Sequence, residues 1–139
     1  TMFSEFEVRA HEQFERGEPL TAPGFRKIYR GLLDDYFGPK FTIDDALELE
    51  CLRIPHFYRA YYVYQYATGL SAAISLAERV LNGGAKECDD YLGFLQAGCS
   101  AAPLDILRKA GVDMEKPEPI RDAMKRFAKL TDELENLLG

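Results

Sequence analysis

Apolar residues recur at helical spacing along almost the whole chain. Phe3, Phe6, Ala10 and Phe14 mark one face of a first helix. Gly17-Glu18-Pro19 breaks that pattern, and Thr21-Ala22-Pro23 restarts it with a capping hydroxyl and an early proline. Phe25, Ile28, Tyr29, Leu32, Leu33 and Tyr36 then fall at i, i+3, i+4, i+7, i+8 and i+11, which predicts an amphipathic helix closed by Gly38-Pro39. Thr42, with Asp44 and Asp45 in a first turn, predicts a third helical stretch through Leu47, Leu49, Cys51 and Leu52. Ile54-Pro55 interrupts it, because a residue before proline avoids the α region.

The aromatic segment that follows could be helix or strand on local preference alone. Tyrosine and valine favour strands, but Tyr58, Tyr62 and Tyr66 fall at i, i+4 and i+8, and Phe57, Tyr61 and Tyr64 at i, i+4 and i+7. A helix over residues 58–68 is therefore expected. Small residues Gly69, Ala72, Ala73 and Ala77 continue it, and Asn82-Gly83-Gly84 ends it. A shorter helix is predicted over residues 86–97, another from Pro103 to Gly111, and a long closing helix after Pro117-Glu118-Pro119. In that last helix Ile120, Met124, Phe127, Leu130, Leu134 and Leu137 step by 4, 3, 3, 4 and 3, and packing through Phe127, Leu130 and Leu134 is expected. No repeat interrupts the pattern. The fold class is all-α, a multi-helix bundle read as one helical segment over residues 1–139.

Composition narrows the partners. With 139 residues, 47% of them hydrophobic, a sizeable core is within reach. A formal net charge of -6 argues against nucleic acid and against an anionic membrane surface, both of which call for a basic face. No apolar run approaches the roughly 20 residues of a membrane-spanning helix. The start, Thr-Met-Phe-Ser-Glu-Phe-Glu, lacks the basic and apolar regions of a secretory signal. Cys51, Cys88 and Cys99 are odd in number and show no CxxC spacing, so buried free thiols in a reducing, cytoplasmic setting are expected. Thr1 is not an initiator methionine and the helical pattern is running by Phe3, so the first helix is expected to be cut into.

A self-contained catalytic set is missing. There is no HExxH, no glycine-rich phosphate loop and no GxSxG. His11-Glu12 begins like a zinc motif but continues Gln13-Phe14-Glu15, so His11 is expected on the surface of the first helix. The pairs Asp34-Asp35, Asp44-Asp45 and Asp89-Asp90 lie beside helix ends or on polar faces and read as solvated charge.

Residues 54–69 stand out, holding five of the eight tyrosines and His56, one of the two histidines. Two readings stand side by side. A tyrosine stripe on a helix packs into a core or interface with its hydroxyls satisfied at the rim. Alternatively, hydroxyls and an imidazole on adjacent turns form a donor array, able to hold a peptide backbone and to stabilise the oxyanion that develops when water attacks a carbonyl.

Several uncommon strings occur in order: Gly17-Glu18-Pro19-Leu20-Thr21, Ile54-Pro55-His56-Phe57-Tyr58, Tyr62-Val63-Tyr64-Gln65-Tyr66-Ala67-Thr68-Gly69, Ala110-Gly111-Val112-Asp113-Met114 and Pro117-Glu118-Pro119-Ile120. Over essentially the whole chain they resemble the C-terminal portion of the oligoendopeptidase F family, zinc oligopeptidases of the thimet-oligopeptidase-like superfamily. The resemblance implies a longer, helical enzyme that hydrolyses short peptides. Its zinc would be held upstream by HExxH and a glutamate, with no metal bound by these residues. By position, His56 and the tyrosines Tyr58, Tyr61 and Tyr64 resemble the histidine and tyrosines that reach toward the scissile bond. Tyr61-Tyr62-Val63-Tyr64 parallels a Tyr-Tyr-x-Tyr string of the wider superfamily. Thimet-type relatives place a glycine-rich loop between the histidine and the tyrosines, and this chain does not. Cys99 stands where a Gly-Gly-Ser turn is expected. The implied partners are the remainder of a peptidase chain and short peptides, with self-association expected of residues 1–139 alone. The rival reading, from a different class, is a free-standing helical module that holds a peptide or partner helix in a tyrosine-lined groove.

Overall fold

The computed structural model describes residues 1–139 and contains helices and turns with no β-strand. In chain order these are α1 (Met2–Glu15), α2 (Ala22–Phe37), a 3-10 turn (Asp45–Leu49), α3 (Glu50–Arg53), a second 3-10 turn (Pro55–Tyr58), α4 (Tyr64–Asn82), α5 (Ala85–Ala97), α6 (Pro103–Lys109) and α7 (Glu118–Leu138). The backbone divides into two compact units, Thr1–Gln65 and Tyr66–Gly139.

In the first unit the stripes on α1 and α2 face each other. Phe6, Tyr29, Leu32, Leu33 and Cys51 are buried together, with Phe3, Phe25, Ile28 and Phe57 packed against them. Phe6 meets Phe57 at 4.9 Å between ring centroids and Tyr29 edge-on at 5.5 Å, the tilted arrangements that aromatic quadrupoles favour. The Thr21 hydroxyl accepts from the Gly24 N–H at 3.2 Å and caps α2, while Gly38, at φ 74°, ends it. The Tyr29 hydroxyl donates to Glu50 Oε2 at 2.6 Å, tying α2 to α3 from inside the core.

In the second unit Ala72 and Leu76 of α4 pack with Ala110 and Val112 beyond α6, and Tyr91, Phe94, Leu107 and Met114 close around them. The Gly84 N–H donates to Glu87 Oε2 at 2.8 Å at the start of α5. That backbone donor holds the Glu87 carboxyl below the usual carboxylate range. Gly111, at φ 85°, turns the chain after α6, where the Arg79 guanidinium lies against it and donates to the Ala110 carbonyl at 3.1 Å.

Four expectations need correction. The stretch after Thr42 is a 3-10 turn followed by one turn of α-helix, because Pro55 ends it before it can lengthen. The helix expected over residues 58–68 starts only at Tyr64; residues 59–63 form an irregular turn. Tyr61 adopts φ 54° there, and one left-handed residue is enough to interrupt an α-helix. The periodic spacing of the tyrosines therefore does not place them on one helical face. On α7 the buried residues are Pro119 and Ala123, whereas Phe127, Leu130 and Leu134 are exposed. Finally, of the three thiols only Cys51 is buried, with Cys88 and Cys99 exposed and all three unpaired.

Candidate functional site

The aromatic segment is shaped by its two neighbours in the first unit. Pro55 opens the 3-10 turn with its fixed φ, and the Arg59 N–H closes it on the His56 carbonyl at 3.0 Å. The turn over residues 59–63 then delivers the chain to α4, with Val63 buried and Tyr64 as the first helical residue. His56, Tyr58, Tyr61 and Tyr64 are all exposed in this arrangement. Tyr58 is 82% exposed, Tyr61 48% and Tyr64 49%, so these three rings are not core residues of their unit.

Two clusters organise the strip. In one, the His56 ring stacks on Tyr62 at 5.6 Å between centroids and 14° between planes. The Arg59 guanidinium lies 5.3 Å from the centroid of the same ring, within cation–π range. Half-buried Tyr62 thus acts as the platform for an imidazole and a guanidinium. In the other cluster, Tyr61 meets α1. Its N–H donates to Glu7 Oε1 at 3.0 Å, and its ring lies on His11 at 4.4 Å between centroids. His11 Nδ1 is 2.7 Å from the Glu7 carbonyl oxygen. A carbonyl only accepts, so this nitrogen carries a proton and donates it to the Glu7 oxygen.

A tyrosine in the left-handed region costs on the order of 1–3 kcal/mol and persists only where its surroundings over-determine it. Here the surroundings are a buried carboxylate and a closely packed imidazole, one helical turn apart on α1. Glu7 is only 3% exposed, although charged residues are rarely buried. Beside this cluster lies a largely apolar cavity of about 430 Å³, bordered by Phe6, Glu7, His11, Phe57 and Tyr58 among others. Its floor includes Cys51, whose thiol burial pushes up and whose Sγ donates to the Glu48 carbonyl at 3.1 Å. A thiol held protonated in this way is a poor nucleophile.

The four residues expected from the sequence are thus each exposed within residues 56–64, while their partners Glu7, His11, Arg59 and Tyr62 were not anticipated in that role. His11 is half-buried and packed against the Tyr61 ring, a correction to its expected surface position. One signal for Glu7 was available. It falls at i+4 from Phe3 and seven before Phe14, a carboxylate inside an apolar stripe.

A sequence model of peptidase family M3 matches residues 1–126. The chain belongs to that family. It is 51% identical over 138 residues to Oligopeptidase PepF of Bacillus subtilis (strain 168), covering 99% of this chain and 21% of the relative. Oligoendopeptidase F, chromosomal, from Lactococcus lactis subsp. cremoris is 42% identical over 138 residues, again 99% of this chain and 23% of the relative. The crystal structure of oligoendopeptidase-F from Enterococcus faecium superposes with a TM-score of 0.89 at 43% identity, over 99% of this chain and 26% of that one. The chain therefore spans about a fifth to a quarter of the length of the relatives it matches. The helical fold and the family resemblance drawn from the sequence are both supported by these matches.

Zinc, implied by the resemblance, does not fit the side chains present. No three histidine, cysteine, aspartate or glutamate side chains come together as a metal-binding group. The chemistry available to these residues is that of neutral hydroxyls, imidazoles and one guanidinium.

Proposed function

We propose that residues 1–139 form one wall of the peptide-binding channel of a longer M3 peptidase, and that His56, Tyr58, Tyr61 and Tyr64 donate hydrogen bonds to the bound peptide and to its reacting carbonyl. The observation that carries this reading is the exposed strip 56–64, in which Tyr61 is held in a strained conformation by groups on α1. Strain of that kind concentrates at sites that act on ligands. Short peptides as the substrate class are supported by membership of peptidase family M3 and by the names of the relatives, an oligopeptidase and an oligoendopeptidase.

Each residue has a distinct task in this reading. Phenolic hydroxyls donate without a change of protonation at neutral pH, which suits them to a carbonyl oxygen gaining negative charge. His56, stacked on Tyr62, presents an imidazole whose plane is fixed before substrate arrives. Any zinc required by the parent would be held by chain outside these residues, which on their own would not hydrolyse peptides. Exposed, unpaired Cys88 and Cys99 suit a reducing, cytoplasmic setting.

The test is kinetic and uses the full chain with a short peptide. Removing one preorganised oxyanion donor costs roughly 10²–10³ in kcat in known cases. His56→Ala, or the Tyr→Phe change at the tyrosine that meets the oxyanion, should lower kcat far more than it raises KM. Tyr66→Phe is the control and should leave kcat within about threefold, roughly 0.6 kcal/mol of barrier. If changes at His56, Tyr58, Tyr61 and Tyr64 all stay within that limit, the strip plays no part in the chemistry.

A further inference from the structure

We infer that Glu7 is a positioning residue: its buried carboxylate, through the Tyr61 N–H, sets the turn that presents Tyr61 and Tyr64. This inference rests on the proposed role of the strip. It starts from a buried carboxylate that the proposed chemistry does not use. Glu7 sits on α1 between buried Phe6 and buried Ala10, and its nearness to Tyr61 spans 54 residues of sequence. The bond goes to the backbone N–H, so it fixes the turn itself and leaves the Tyr61 hydroxyl available for other partners.

Two further contacts make the arrangement directional. The His11 ring, one turn along α1, donates from Nδ1 to the Glu7 carbonyl and packs at a tilt against the Tyr61 ring. The phenol ring is therefore aimed by an imidazole whose own orientation is set by the residue that holds the Tyr61 amide. Three residues on, Tyr64 opens α4. A change of backbone conformation at Tyr61 would rotate the entry into that helix and move the Tyr64 hydroxyl with it. Glu7 thus acts on two candidate donors through one hydrogen bond, with no need to touch substrate.

Glu7→Met removes the acceptor at similar length, and Glu7→Gln keeps a neutral carbonyl acceptor in nearly the same shape. Both variants are made in the full chain, beside Tyr61→Phe, and two quantities are measured. The first is hydrogen exchange at the Tyr61 amide. Loss of a hydrogen bond to a charged group should speed it by about tenfold to a hundredfold in Glu7→Met and by less in Glu7→Gln. Exchange at Leu32 and Leu33, in the core of the same unit, should stay within about threefold and report that the unit is folded. The second is peptide hydrolysis, where Glu7→Met should lower kcat by at least about tenfold with KM little changed, and Glu7→Gln should restore most of it.

If Glu7→Met does not fold, Glu7→Gln alone decides: a faster Tyr61 amide with a smaller kcat loss supports the role, and wild-type values of both overturn it. Unchanged Tyr61 exchange in folded Glu7→Met overturns the inference. So does normal kcat in Glu7→Met when Tyr61→Phe is impaired, with the role of the strip left standing. Normal kcat in Tyr61→Phe, Tyr64→Phe and His56→Ala overturns the role of the strip itself, and the inference with it.

Discussion

Two tyrosines separate structural from candidate functional roles at the scale of single residues. Tyr29 has no exposure, and its hydroxyl donates to Glu50 Oε2 at 2.6 Å; Tyr61 is half exposed and held through its backbone. Burial, with the Glu50 carboxylate beside it, pushes the Tyr29 phenol well above the ordinary tyrosine range. The folded chain therefore keeps a proton that the unfolded chain releases near pH 10. The associated stability is present below that pH and is lost as pH rises past it, because the unfolded state then binds fewer protons. Tyr29→Phe should cost about 1.5–3 kcal/mol at neutral pH, the range for a hydrogen bond to a charged group. It should also flatten the alkaline fall in stability. Denaturant titrations at neutral pH and above pH 10 would show both effects, and equal stability loss at the two pH values would contradict the role of the phenol.

At the scale of elements, α7 carries the sharpest consequence. Its apolar stripe runs from Ile120 to Leu137, yet Leu130 is 45% exposed and Phe127 67%. Leu130→Ala should cost less than about 1 kcal/mol in residues 1–139 alone, as surface changes usually do. In a full chain that covers this stripe it should cost about 2–5 kcal/mol. Equal costs in both, measured by denaturant unfolding, would mean that nothing covers α7. The same helix shows what the sequence could tell. Spacing revealed that α7 exists and which face is apolar, because periodicity depends on the chain itself; what that face packs against depends on surroundings that spacing does not encode. The segment around Tyr61 failed for the opposite reason. Its spacing suits a helix, but the Tyr61 N–H donates instead to Glu7, far away in sequence, and that tertiary contact competes with the local preference. His56 and the tyrosines stood out from residue chemistry and family resemblance. Their partners Glu7, His11 and Arg59 depend on contacts across turns and could be anticipated only at Glu7, from its place within an apolar stripe.

At the scale of the whole molecule, one unit bears the candidate chemistry and the other is built around its own small core of Ala72, Leu76, Ala110 and Val112. Both belong to a family match that runs through residue 126, and both recur in relatives four to five times longer. The central claim is that the strip 56–64 borders a peptide bound by the full chain. Photolabelling tests it most directly. A short peptide carrying a photoreactive side chain is bound to the full chain, illuminated, and the adducts are located by mass spectrometry. Adducts are expected within residues 56–64, suppressed by excess unlabelled peptide and reduced in Glu7→Met. Competable adducts confined to other parts of the chain, with none in this strip, would contradict it.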